Sequence, residues 1–126
     1  MITVHIKIDK DKRECSLSVK GHAGYADKGK DIVCSAASIL AHTTAHCVED
    51  MEHAGDLAEA PTIDMSEGEC DIVLQTKPNA FEVSVRFFYT INKGYALLAK
   101  CYPQYVEYIV DDKAQCLNIN QTESLT

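Results

Sequence analysis

The stretch GHAGYADKGKDIVCSAASIL, residues 21–40, decides how this chain is read. It begins where an alternating apolar pattern ends and finishes inside a helical one. A histidine follows a glycine at one end. At the other, a cysteine stands three residues after an aspartate, at what looks like a helix start. If the polar loop between them bulges outward, His22 at a strand end can reach Cys34.

Upstream, Ile2, Val4, Ile6 and Ile8 alternate with Thr3, His5 and Lys7, the period of a half-buried strand. Residues 9–14, DKDKRE, read as a polar turn. Cys15, Leu17 and Val19 then alternate, so the two runs form an antiparallel hairpin that Gly21 ends. Downstream, residues 32–52 carry the clearest helix. Val33, Ala36, Ala37, Leu40, Cys47, Val48 and Met51 share one side, and His42, His46, Asp50 and His53 lie nearly opposite. Asp31 is the expected N-cap. Residues 54–69 read as a connection with a short strand at Thr62–Met65, and residues 70–75 as a strand.

Residues 80–91 fit both periods. Phe81, Val83, Val85 and Phe87 alternate, yet Phe87/Phe88, Ile91, Tyr95, Leu98 and Tyr102 also suit a helix. The good helix formers from Ala96 to Lys100 favour a helix over 80–101, with Asn79 as its N-cap. Pro103 ends it, and residues 104–110 are a last strand. The expected fold is α+β: a single small domain, roughly β-β-α-β-α-β, with two helices packed on one face of a mostly antiparallel sheet. The domain spans residues 1–113, and 114–126 form a flexible tail.

The 126 residues suit one core, and 46% apolar content favours a globular chain over a disordered one. No apolar run approaches the ~18 residues of a membrane span. The N-terminal residues alternate instead of forming an apolar block, unlike a signal peptide. A cytoplasmic protein with free thiols is expected. The six cysteines, Cys15, Cys34, Cys47, Cys70, Cys101 and Cys116, show no CxxC spacing. Cys15, Cys47, Cys70 and Cys101 read as core thiols, and Cys116 as an exposed one in the tail. The net charge of −7 argues against direct nucleic-acid binding and is compatible with a basic protein partner.

A helix N-terminus favours a thiolate, and an imidazole can take its proton. Unpaired backbone N–H groups near Cys34 could also hold an oxyanion when the thiolate attacks a carbonyl. His22 and Cys34 therefore meet the base–nucleophile requirement of cysteine acyl transfer. Gly24 and Gly29 suit a mobile loop, Tyr25 offers an aromatic contact, and Lys28 and Lys30 favour a thiolate. Asp31 either caps the helix or orients His22. Ser38 lies one turn beyond Cys34, and Ala41 and Ala45 continue that face with small side chains. A simply packed Cys34 remains the plain alternative.

Gly21-His22-Ala23, Gly29, Asp31-Ile32-Val33-Cys34 and Ala37-Ser38 closely resemble the motif of the ribosomal-processing cysteine protease family, Prp. The likeness extends along the chain to Tyr102-Pro103-Gln104-Tyr105. Ser35 departs from the alanine common in the family. The resemblance implies a homodimeric endopeptidase that cuts an N-terminal extension from a bacterial large-subunit ribosomal protein, without a cofactor. Carried over by position, Cys34 is the nucleophile and His22 the general base and acid. Gly21, Ala23, Gly24, Tyr25, Gly29, Asp31 and Ser38 support the site or bind substrate.

Other readings predict different observations. His42 and His46 stand at ligand spacing, but HTTAH lacks the glutamate of HExxH, so no metal is expected. A non-catalytic module would bind ribosomal protein without cutting it, a redox sensor would oxidise Cys34 reversibly, and a related protease would act on a phage structural protein.

Overall fold

The computed structural model describes residues 1–27 and 29–117. In chain order the elements are β1 (Ile2–Asp9), β2 (Glu14–Lys20), α1 (Ile32–His53), β3 (Thr62–Ser66), β4 (Glu69–Gln75), a 3₁₀ turn (Pro78–Ala80), α2 (Phe81–Cys101) and β5 (Val106–Asp111). The five strands form one sheet in the order β3-β4-β2-β1-β5. Every pairing is antiparallel except β1 with β5, which is parallel.

The period-2 pattern sets the register, because a slip of one residue would turn each apolar set to water. Val4 lies beside Val19, which lies beside Cys70; Ile6 lies beside Leu17, which lies beside Ile72. All six are buried, and both helices pack on this face. The intervening row, His5, Ser18, Asp71 and Asp64, occupies the polar face.

The helix α1 buries Val33, Ala37, Ala41, Thr44, Ala45, Val48 and Met51. Its neighbour α2 passes close: a Cβ on Gly94 would stand 2.9 Å from Leu40 Cδ2. The buried Tyr95 hydroxyl donates to the Ala37 carbonyl at 2.9 Å. Val83 and Val85 do not make the start of α2 a strand. Ser84, Val85, Phe88, Ile91, Asn92, Tyr95 and Leu98 recur every three to four residues and are buried together. Burial of that stripe outweighs the weak strand preference of β-branched residues. Asn79 is not the N-cap: it sits inside the 3₁₀ turn, and α2 starts after Ala80 with no side-chain cap.

Residues expected to begin the frayed tail instead fold back. The Asp112 carboxylate accepts from Cys116 N–H (2.9 Å) and Leu117 N–H (2.6 Å), and Leu117 is fully buried. The remainder of the expected tail, 118–126, lies outside the described residues. Three thiol expectations also change: Cys101 is exposed, and Cys47 and Cys116 are half-buried. No helix among the described residues is long and apolar enough to cross a membrane.

Candidate active site

Cys34 is the third residue of α1, and Asp31 dictates what surrounds it. One carboxylate oxygen accepts from Val33 N–H (3.0 Å) and Cys34 N–H (2.9 Å). The other accepts from Tyr25 N–H (3.1 Å) and Ala26 N–H (3.3 Å). The carboxylate thus caps the helix and gathers the preceding loop. All four donors are backbone groups, and His22 is not among them. The Cys34 N–H holds the Asp31 carboxyl below its usual range, helped by Ala26, Tyr25 and Val33, while burial opposes the shift.

This arrangement corrects the expectation of unpaired N–H groups around Cys34. The Asp31 side chain takes those of Val33 and Cys34, and the Asp31 carbonyl takes that of Ser35 at 3.0 Å. The donor aimed at the sulfur is the Ala23 N–H, 3.3 Å from Sγ.

His22 follows Gly21, where β2 has just ended. Gly21 N–H donates to the Gly68 carbonyl (2.8 Å), and the Met1 nitrogen donates to the His22 carbonyl (2.6 Å). The imidazole rests over Gly68: a Cβ there would come within 2.6 Å of Nε2. Among the described residues no hydrogen bond joins this imidazole to the Cys34 thiol. The two side chains instead share a cleft of about 680 Å³. Hydrogen bonds in unliganded catalytic sites are often long and tighten when substrate binds.

One wall of the cleft is α1, through Cys34, Ser38 and Ala41. The loop supplies His22, Gly24 and Gly29, and the β3–β4 hairpin supplies Met65, Gly68 and Cys70. Gly21 and Asp31 also border it. Ala23 is buried beside the sulfur, and Ala45 is buried in the core. Tyr25 does not line the cleft; its ring packs edge-on against Tyr102 and Tyr105. Lys30 is exposed, and its N–H closes a turn onto the Asp27 carbonyl (2.9 Å); Lys28 lies outside the described residues.

Sequence reasoning missed the hairpin wall. Ser66–Glu69 looks like ordinary connecting chain, and only strand pairing swings Gly68 under His22. His42 was assigned to a solvated helix face, and it is exposed, but it also borders the cleft. Among the described residues, no three His, Cys, Asp or Glu side chains are grouped to hold a metal ion.

The family described as cysteine protease Prp matches residues 1–107. The chain belongs to that family. Solved structures share its fold. The ribosomal processing protease Prp from S. aureus with a covalently linked product peptide is 19% identical, with a TM-score of 0.65 over 88% of this chain and 100% of that one. The same protease with a substrate peptide is 17% identical, with a TM-score of 0.62 over 88% and 100%. SMU.848 from Streptococcus mutans is 23% identical, with a TM-score of 0.59 over 88% and 94%. No curated protein matches the chain.

Proposed function

We propose that this Prp-family chain cuts an N-terminal extension from a bacterial large-subunit ribosomal protein, with Cys34 as nucleophile and His22 as general base and acid. The observation that carries this reading is the Cys34 sulfur in a peptide-sized cleft, with the Ala23 N–H on it and His22 across the same space.

In the proposed reaction the imidazole turns from Gly68 toward the thiol and takes its proton. The thiolate attacks the scissile carbonyl, forming the S–C bond and an oxyanion. Ala23 N–H is the backbone donor nearest that developing charge. As the C–N bond breaks, protonated His22 gives its proton to the leaving amine. A water molecule, deprotonated by His22, then hydrolyses the thioester. Asp31 holds the loop and helix in register, and Ser38 contributes to the cleft wall.

The substrate assignment is supported by family membership and by the S. aureus proteins, which are described as ribosomal processing proteases bound to peptides. A net charge of −7 suits attraction to a basic ribosomal protein. We assign the chain to the cytoplasm, where its six free thiols would stay reduced. We also assign it as a homodimer, on its membership of the Prp family.

The test is cleavage of the extended ribosomal protein precursor, with products read by mass spectrometry. Wild type is expected to make one cut. Cys34→Ala and His22→Ala are expected to lose at least about a thousandfold in rate, since the pair acts as a unit. Binding without cleavage by folded wild type would refute the protease reading.

A further inference from the structure

The donor at the Cys34 sulfur is the N–H of Ala23, whose side chain is buried in the core while the loop beyond it is exposed. Ala23 lies between His22 and Gly24, and a Cβ at Gly24 would meet nothing within 4 Å. The position of its N–H is set by that burial together with anchors on either side.

On the C-terminal side the anchor is Tyr25. Its backbone N–H is bound by Asp31, and the residue is 42% exposed. That ring stands edge-on to two others, Tyr102 (centroids 5.5 Å apart, planes at 80°) and Tyr105 (5.2 Å, 80°). Both contacts have the edge-to-face geometry that aromatic pairs prefer.

Tyr102 and Tyr105 sit on the turn between α2 and β5, which is itself fixed. Tyr102 N–H donates to the Leu98 carbonyl (2.9 Å) and Tyr105 N–H to the Tyr102 carbonyl (3.0 Å). The same turn reaches the N-terminal side of the loop. The Tyr105 carbonyl accepts from Ile2 N–H (2.9 Å), and the adjacent Met1 nitrogen holds the His22 carbonyl (2.6 Å). Two routes from one distant turn thus converge on residues 22–25.

We propose that Tyr25, Tyr102 and Tyr105 form an aromatic clamp that sets the Ala23 N–H against the Cys34 sulfur. Tyr102 and Tyr105 are then positioning residues for the nucleophile, although neither lines the cleft; this rests on reading Cys34 as the nucleophile. The clamp works through ring faces and edges, since none of the three hydroxyls makes a hydrogen bond among the described residues.

The test compares Tyr25→Leu, Tyr105→Leu and Tyr105→Phe with wild type. The first readout is the rate of Cys34 alkylation by iodoacetamide at fixed pH, resolved by peptide mass spectrometry. The exposed Cys101 serves as reference thiol. The second is kcat and KM on the ribosomal protein precursor. Both leucine variants are expected to slow Cys34 relative to Cys101, and to lower kcat, by about tenfold to a hundredfold with KM little changed. Tyr105→Phe should restore both. Tyr25 lies on the surface loop, so its leucine variant keeps the core and the test stands even if Tyr105→Leu fails to fold. An unchanged or faster Cys34 in Tyr25→Leu overturns the clamp, as does a Tyr105→Phe variant as slow as Tyr25→Leu. Alkylation needs no substrate, so an inactive wild type would refute the protease reading while the clamp is still decided.

Discussion

Replacing Gly21 by alanine would set a methyl group against the Met1 carbonyl oxygen, at a backbone φ of +97°. Two costs follow. Positive φ with a Cβ is worth about 1–2 kcal/mol. The obstructing atom is backbone and cannot rotate away, so the start of β1 must shift. That shift strains Ile2 N–H to the Tyr105 carbonyl (2.9 Å) and Met1 N to the His22 carbonyl (2.6 Å). Each such bond contributes a net ~1 kcal/mol. Against this, alanine stabilises by about 0.4–1 kcal/mol through the unfolded chain. The net expectation is a loss of roughly 2–3.6 kcal/mol. Gly55 supplies the control. Its φ is +79°, and a Cβ there would meet nothing within 4 Å. Gly55→Ala should lose no more than about 1.6 kcal/mol, from strain alone. Urea unfolding of both variants measures the difference, which belongs to the Met1 contact. Because that contact also ties His22, Gly21→Ala should lose precursor cleavage and Gly55→Ala should not. Equal stabilities would refute the reasoning, and so would a Gly21→Ala protein more stable than wild type.

Asp31 makes stability depend on pH. Its folded carboxyl titrates below the unfolded one, chiefly because of the Cys34 N–H. Its contribution is therefore fully present above the unfolded value, about pH 4, and is lost as pH falls through the folded one. Urea midpoints of wild type and Asp31→Asn should converge below pH 4; a constant gap down to pH 2 would sink the idea. Thiol reactivity should follow burial. Burial pushes the Cys15 thiol up to about 12 and the Cys70 thiol up to about 11, whereas Cys101 is exposed. At neutral pH a disulfide reagent should label Cys101 in the native protein and reach Cys15 only after unfolding. Fast native labelling of Cys15 would contradict the packing of β2 beneath α2.

Much of the site was legible because its parts are local. The cap at Asp31 lies three residues from Cys34, and the loop that returns the chain joins adjacent elements. Sequence could not tell whether Asp31 caps the helix or orients His22. That depended on the fold of the loop, which delivers the Tyr25 and Ala26 N–H groups to the carboxylate oxygen left over from capping. The expectation of free N–H groups at Cys34 failed for the same reason, since the cap itself consumes them. The α2 segment was ambiguous because its apolar residues satisfy both periods. Only the core shows which stripe is buried.

The sequence by itself determined the β1–β2 hairpin, the helix α1 and the later half of α2, and the pairing of a histidine with a cysteine in one motif. Periodicity and capping act over a few residues and leave marks that can be read in order. The tertiary structure alone decided the parallel pairing of β5 with β1, the hairpin wall at Gly68, the docking of Leu117 and the edge-to-face packing of Tyr25 with Tyr102 and Tyr105. Each joins segments far apart along the chain. Which distant surfaces meet depends on how the whole sheet and its helices share one core.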